Sequence, residues 1–174
     1  MNYLGIDPGG DGALAIITND TNAPQPILPM PMMAYDNVFI PKTSRSKRKK
    51  KFEVDVAAIK SFLDGYEIKA AAIELIHAMP GNGAVSMFTF GENFSAVKAC
   101  IRTLGIPLYQ VKPKDWQKHI LGFTTSDKKV AQDYCQKFFP NTSLLKNSRC
   151  RTPHSGIADA ICVGVWLRDN YSIL

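Results

Sequence analysis

Apolar residues in this chain come in short solid runs and in helical stripes, with few stretches of strict in–out alternation. Tyr3-Leu4-Gly5-Ile6 is an apolar run closed by Asp7; the turn cluster Pro8-Gly9-Gly10-Asp11-Gly12 follows, and Ala13 to Thr18 is a second run. That pattern predicts strand, tight turn, strand, with Asp7 at the end of the first strand. Residues 19–41 hold Pro24, Pro26, Pro29, Pro31 and Pro41, which predicts loop and short edge strand rather than helix. Val56, Ile59, Phe62 and Leu63 recur at helical spacing. Lys69 to Leu75 reads as a buried strand containing one acid, Glu74, and His77-Ala78-Met79-Pro80-Gly81-Asn82-Gly83 as a loop. A helix is expected from about Asn93 to Leu104, ended by Gly105 and Pro107. Leu108 to Val111 is a short strand. Pro113 opens a helix carrying Trp116 and Ile120, and Ser126-Asp127-Lys128-Lys129 caps another that Pro140 stops. Ser155 to Leu167 is the last helix, and no internal repeat is visible. Strands that give way to helices in this order predict one α/β domain over residues 1–174, with a central mixed sheet flanked by helices.

Composition agrees with a single globular unit. The chain has 174 residues, 45% of them apolar and 21% charged, enough for one core and too little for two domains. Charge sharpens the picture. The net is +6, yet Lys42, Arg45, Lys47, Arg48, Lys49, Lys50 and Lys51 lie within ten residues; without those seven, 14 basic residues face 15 acidic ones. The protein therefore reads as a near-neutral domain with a basic, flexible insert at about 42–52, either a solvated loop or a phosphate-contacting arm. No apolar run approaches the ~20 residues of a membrane span. The first residues, with no basic start and an acid at position 7, do not read as a signal peptide. Cys100, Cys135, Cys150 and Cys162 form no CxxC and read as reduced thiols of a cytosolic-type compartment. Cys150 and His154 are spaced like metal ligands, but no second such pair accompanies them, so structural zinc is not expected.

Three acids stand in apolar settings: Asp7 at a strand end, Glu74 inside a strand, and Asp159 within Gly156-Ile157-Ala158-Asp159-Ala160-Ile161-Cys162. Each alone has a plain explanation, as a cap, an edge-facing side chain or a residue on a wet helix face. Around Asp159, however, little polar face is left. Acids are rarely buried without a partner. The three together suggest convergence on shared cations, and hard oxygen donors without a Cys/His cluster suit Mg²⁺ or Mn²⁺.

The motifs Gly-Ile-Asp-Pro-Gly from Gly5, Ile-Glu at Ile73 followed by His-Ala-Met-Pro-Gly-Asn-Gly, Val-Lys-Pro-Lys-Asp-Trp from Val111, and His-Ser-Gly-Ile-Ala-Asp-Ala from His154 occur in order. They resemble the RuvC-type Holliday-junction resolvases, most closely the phage-encoded and chloroplast-type branch. The resemblance implies a ribonuclease H-like fold and a homodimeric endonuclease. Such an enzyme cuts two strands of a four-way DNA junction using Mg²⁺ or Mn²⁺, two per active site. Matched by position, Asp7, Glu74 and Asp159 fall on the family's catalytic, metal-holding carboxylates. His154 is the candidate for the fourth; its alternative is a loop histidine contacting phosphate or nothing. Better-known bacterial members carry the fourth residue three positions ahead of the last Asp, where this chain has Gly156. Within the family template Asp7 would bridge the metals, Asp159 and His154 would serve one, and Glu74 the other.

DNA contacts are expected from Lys47, Arg48, Lys49, Lys50 and Lys51 of the insert, and from Lys112, Lys114, Lys118, Lys128, Lys129, Arg149 and Arg151. Phe88 or Phe90 is a candidate to stack on an unpaired base; the alternative for both is core or dimer contact. Phe94, Val97 and Ile101 form a stripe suited either to a dimer partner or to the core. The expected partners are branched DNA and a second copy of the chain, with no membrane and no nucleotide cofactor, in the cytoplasm or nucleoid. An actin-like kinase shares the opening motif but needs two copies of the fold. A ribonuclease H-like nuclease acting on RNA or other branched DNA, and a non-catalytic junction-binding relative, remain alternatives.

Overall fold

The computed structural model describes residues 1–34, 52–76 and 83–173. The insert residues Lys47 to Lys51 and the loop 77–82 lie outside the described residues. Strands β1 (Asn2–Asp7), β2 (Ala13–Ile17) and β3 (Ile27–Pro29) form an antiparallel meander. A small separate hairpin, β4 (Met32–Ala34) with β5 (Phe52–Val54), comes next, and then helix α1 (Val56–Leu63). Strand β6 (Ile68–Glu74) returns parallel to β1. Helix α2 (Ala84–Thr103) leads to β7 (Leu108–Val111), parallel to β6. Helices α3 (Pro113–Leu121), α4 (Lys128–Phe138) and α5 (Ser155–Asn170) complete the described chain with a short 3₁₀ turn, Tyr171–Ile173. The main sheet runs β3-β2-β1-β6-β7. It is mixed, as the sequence predicts.

Why the strands read as solid apolar runs is clear from the layers: both faces of the sheet are covered. On one face Tyr3, Ala13, Ala15, Ile17, Ala70 and Ala72 pack beneath α3, α4 and α5. On the other, Leu4, Ile6, Leu14, Ile16, Ala71 and Ile73 meet Ile59 and Leu63 of α1 and Val97 and Ile101 of α2. The stripe on α2 is thus core for Val97 and Ile101, with Phe94 packed partly against it.

Two elements differ from the sequence reading. Helix α2 begins at Ala84, nine residues earlier than the stripe indicates. Its first two turns bury almost nothing, and Val85 and Phe88 are exposed, so no core-facing periodicity marks them. They continue a helix that is docked through Asn93, Val97 and Ile101. The β4–β5 hairpin is the second difference; strands of three residues are too short to carry a period. Helix α5 also continues three residues past Leu167.

Helix α5 packs on β1 and β2 at a distance that only glycine allows. A Cβ on Gly5 would lie 2.0 Å from the Ala160 carbonyl oxygen and 2.3 Å from the Gly164 nitrogen, both backbone atoms that cannot step aside. Gly5→Ala should therefore destabilise the fold by about 1–3 kcal/mol or more. Gly91→Ala, in an exposed helix interior with open space around it, should be neutral or gain about 0.5–1 kcal/mol. Urea unfolding midpoints of the two variants check this contrast. Equal midpoints would show that the α5–β1 approach is looser than described.

Candidate active site

Strands β1 and β6 run parallel, with Ile6 registered on Ile73, so the next residues, Asp7 and Glu74, stand side by side at their C-terminal ends. In α/β sheets this is the edge where ligands bind. Asp159 comes from the second turn of α5 and is 2% exposed. Close backbone packing brings it to the other two. A Cβ on Gly156, in the first turn of α5, would fall 2.2 Å from the Asp11 carbonyl oxygen. The helix start is thereby pressed onto the glycine turn that follows Asp7. Lys146 ties the outer side of this turn through an ion pair to Asp11 at 2.9 Å.

Among the described residues each acid accepts one hydrogen bond. The Gly9 backbone N–H donates to Asp7 Oδ1 at 3.0 Å, the Trp116 indole N–H to Glu74 Oε1 at 2.8 Å, and the Lys128 ammonium to Asp159 Oδ2 at 2.6 Å. Burial dominates the electrostatics. It raises Asp7 from 3.8 to about 6; the charges of Asp159 and Asp11 add to the rise, while the Gly9 N–H and Lys128 oppose it. Burial likewise raises Glu74 from 4.5 to about 7, against the Trp116 bond and with repulsion from Asp7 and Asp159. Asp159 is raised too, because its burial outweighs even the direct contact with Lys128. For Lys128, burial works against the ammonium, but the bond to Asp159 and the fields of Asp159, Glu74 and Asp7 prevail and raise its pKa. The three acids thus feel one another's charge, and a lysine ammonium stands among them.

His154 is the residue immediately before α5. Its backbone N–H donates to the Leu144 carbonyl at 2.8 Å, and its Nδ1 is buried with no hydrogen-bond partner in the structure. A buried ring nitrogen without a partner calls for a ligand or a water. Three hard carboxylates and this orphaned nitrogen fit Mg²⁺ or Mn²⁺ by donor chemistry. As they stand, no three His, Cys, Asp or Glu side chains among the described residues form a preformed metal cage.

Of the expected DNA-contacting residues, Lys112, Lys114, Lys118, Lys129, Arg149 and Arg151 are exposed on α3, α4 and the loops before α3 and α5. Lys128 differs, since its ammonium is engaged on Asp159. Phe88 is exposed at 68%, and Phe90 is partly buried. Trp116 escaped the sequence reading as a site residue. The available signal was that an indole N–H buried in a core usually has a polar partner.

Sheet order and helix placement define a ribonuclease H-like α/β fold. No known family profile matches the sequence, and no curated protein does. Among solved structures the chain is similar to RuvC of Thermus thermophilus, with a TM-score of 0.60 at 15% identity over 99% of this chain and 96% of that one. It is similar also to T. thermophilus RuvC in complex with a Holliday junction substrate, with a TM-score of 0.62 at 13% identity and the same coverage. At such identities the likeness is one of fold.

The raised carboxylates have a consequence for stability. Between the ordinary and the folded pKa values the folded protein binds more protons than the unfolded chain, so stability falls as pH rises from about 4 to about 7. In EDTA the protein should melt at a higher temperature at pH 5 than at pH 8. Asp7→Asn, which keeps an acceptor for Gly9, should be the more stable form at pH 8, by about 1–3 kcal/mol, with the advantage gone near pH 4. Thermal melts of both proteins across this range check the sign.

Proposed function

We propose that the protein is a structure-selective DNA endonuclease that resolves four-way junctions by cation-dependent phosphodiester hydrolysis. The observation that carries the reading is the meeting of Asp7, Glu74 and Asp159 from β1, β6 and α5. They are desolvated and mutually repelling, at the ligand-binding edge of a fold shared with a protein solved in complex with a Holliday junction substrate. The four ordered sequence motifs support the same reading and the phage or chloroplast-type branch.

In this reading Asp7, Glu74 and Asp159 hold the divalent cations, with His154 Nδ1 as a further donor. The chemistry such cations supply when bound is an activated water, neutralised charge on the phosphorus and a stabilised leaving oxygen. The chain's own residues prepare that site. The Gly9 N–H and the Trp116 indole orient two of the carboxylates. Lys128, with its side chain 64% exposed, carries positive charge at the mouth, where a phosphodiester approaches. Two symmetric cuts require two such centres, so the reading includes a homodimer. No helix among the described residues is long and apolar enough to cross a membrane.

Two measurements test it. On a synthetic four-way junction with Mg²⁺ the protein should make paired, symmetric nicks. Asp7→Asn should lose cleavage by at least a hundredfold while its junction binding stays within about threefold of wild type. Retained cleavage by this variant would overturn the reading. The second test concerns the basic insert. Each phosphate neutralised on duplex DNA contributes about −0.9 to the slope of log affinity against log salt. Replacing residues 45–51 by Gly and Ser should make the slope shallower by several such steps and leave kcat unchanged. An unaltered slope would show that the insert does not touch DNA.

A further inference from the structure

We infer that Trp116 is a positioning residue for the cation-holding centre: its indole N–H fixes Glu74 Oε1 and leaves Oε2 as the oxygen that faces a cation. The inference rests on the function proposed above, since it takes Glu74 as a cation ligand. Three observations carry it.

The first is the pattern of donors. Asp7, Glu74 and Asp159 each accept one hydrogen bond from the protein through one oxygen, and no hydrogen bond to the second oxygen is formed among the described residues. Two of the three donors are unsuited to tuning. The Gly9 N–H belongs to the backbone, and Lys128 is an exposed, long side chain. Trp116 alone is a rigid side-chain donor, 1% exposed and packed in the core with Val111, Cys135, Ile157 and Ile161.

The second is how firmly the two residues are placed. Glu74 registers against Val111 at the end of β7, and the Leu75 N–H closes the ladder on the Val111 carbonyl at 2.7 Å. Pro113 then starts α3, and Trp116 lies in its first turn. The indole therefore reaches back across five residues to the neighbouring strand end, and both ends of the hydrogen bond sit on packed elements.

The third is the chemistry of the donor. An indole N–H donates and cannot accept. It favours the ionised carboxylate, the form a cation needs. Outer partners of this kind orient first-contact ligands, and their loss commonly weakens metal binding about ten- to a hundredfold.

Trp116→Phe deletes the N–H and keeps most of the packing. By isothermal titration calorimetry on the full chain, it should bind Mn²⁺ about ten- to a hundredfold more weakly than wild type. On a four-way junction its kcat should fall with KM unchanged, and its junction binding in EDTA should match wild type. An unchanged Mn²⁺ affinity would overturn the inference. A second experiment leaves Trp116 intact. The chain has two tryptophans, so Trp166→Phe makes Trp116 the sole reporter. Its emission should respond to Mg²⁺, and the response should vanish when Glu74→Gln is added. An emission indifferent to Mg²⁺ would overturn the inference as well. Should wild type bind Mn²⁺ through Trp116 and Glu74 yet leave junctions uncut, the junction reading fails and the positioning role stands.

Discussion

Three carboxylates brought to one end of the sheet, Asp159 buried and Asp7 and Glu74 partly so, are the constraint around which this molecule is organised. Left to themselves they would separate or take up protons, and the elevated Asp7 and Glu74 register that tendency. They stay together because their backbones cannot move apart. Asp7 and Glu74 end adjacent strands of one hydrogen-bonded ladder, and Asp159 rides on a helix almost wholly buried against that sheet. The contacts that fix α5 are backbone on backbone, at Gly5 against Ala160 and Gly164 and at Gly156 against Asp11. A side chain at any of these places would push α5 away from the sheet or from the turn after Asp7. The glycines thus serve the chemistry by removing the room in which the acids could escape each other.

The same constraint explains why the centre is lined by donors that each occupy one oxygen. A carboxylate with no partner in a dry site would be protonated at neutral pH, and one saturated with donors would have nothing left for a cation. One donor per acid is the intermediate arrangement: Gly9, Trp116 and Lys128 lower the cost of charge without consuming the ligand capacity. Lys128 is the one donor of the three with an exposed side chain, although its partner Asp159 is buried.

Much of this is legible in the sequence where one residue type has one physical use. The β1–turn–β2 unit follows from two apolar runs around a glycine turn, whereas Asp7 alone reads equally as a cap and gains meaning only beside Glu74 and Asp159. Asp159 is legible because its neighbours on α5 leave no wet face. What is not legible depends on distant partners. Lys128 reads as one more surface lysine, because nothing local announces that α4 begins beside Asp159. Trp116 reads as core, and it is core, but its N–H meets a carboxylate 42 residues away. The first turns of α2 are missed for the opposite reason: with no core contact they carry no pattern, and their helicity is inherited from the docked turns that follow.

Charge is distributed to match this division of labour. In the proposed function an acidic centre that gathers cations does not itself attract a polyanion, so that attraction is assigned to basic residues elsewhere on the chain. The lysines of α3 and α4 and Arg149 and Arg151 of the loop before α5 are exposed, and Lys128 of α4 reaches Asp159 itself. Ala34 and Phe52, the described residues on either side of the basic run, pair at one end of a two-stranded sheet separate from the main one. In the function proposed above, affinity and chemistry are separable: the first is assigned to the basic run and to exposed helix cations, the second to three acids that the sheet and α5 hold together.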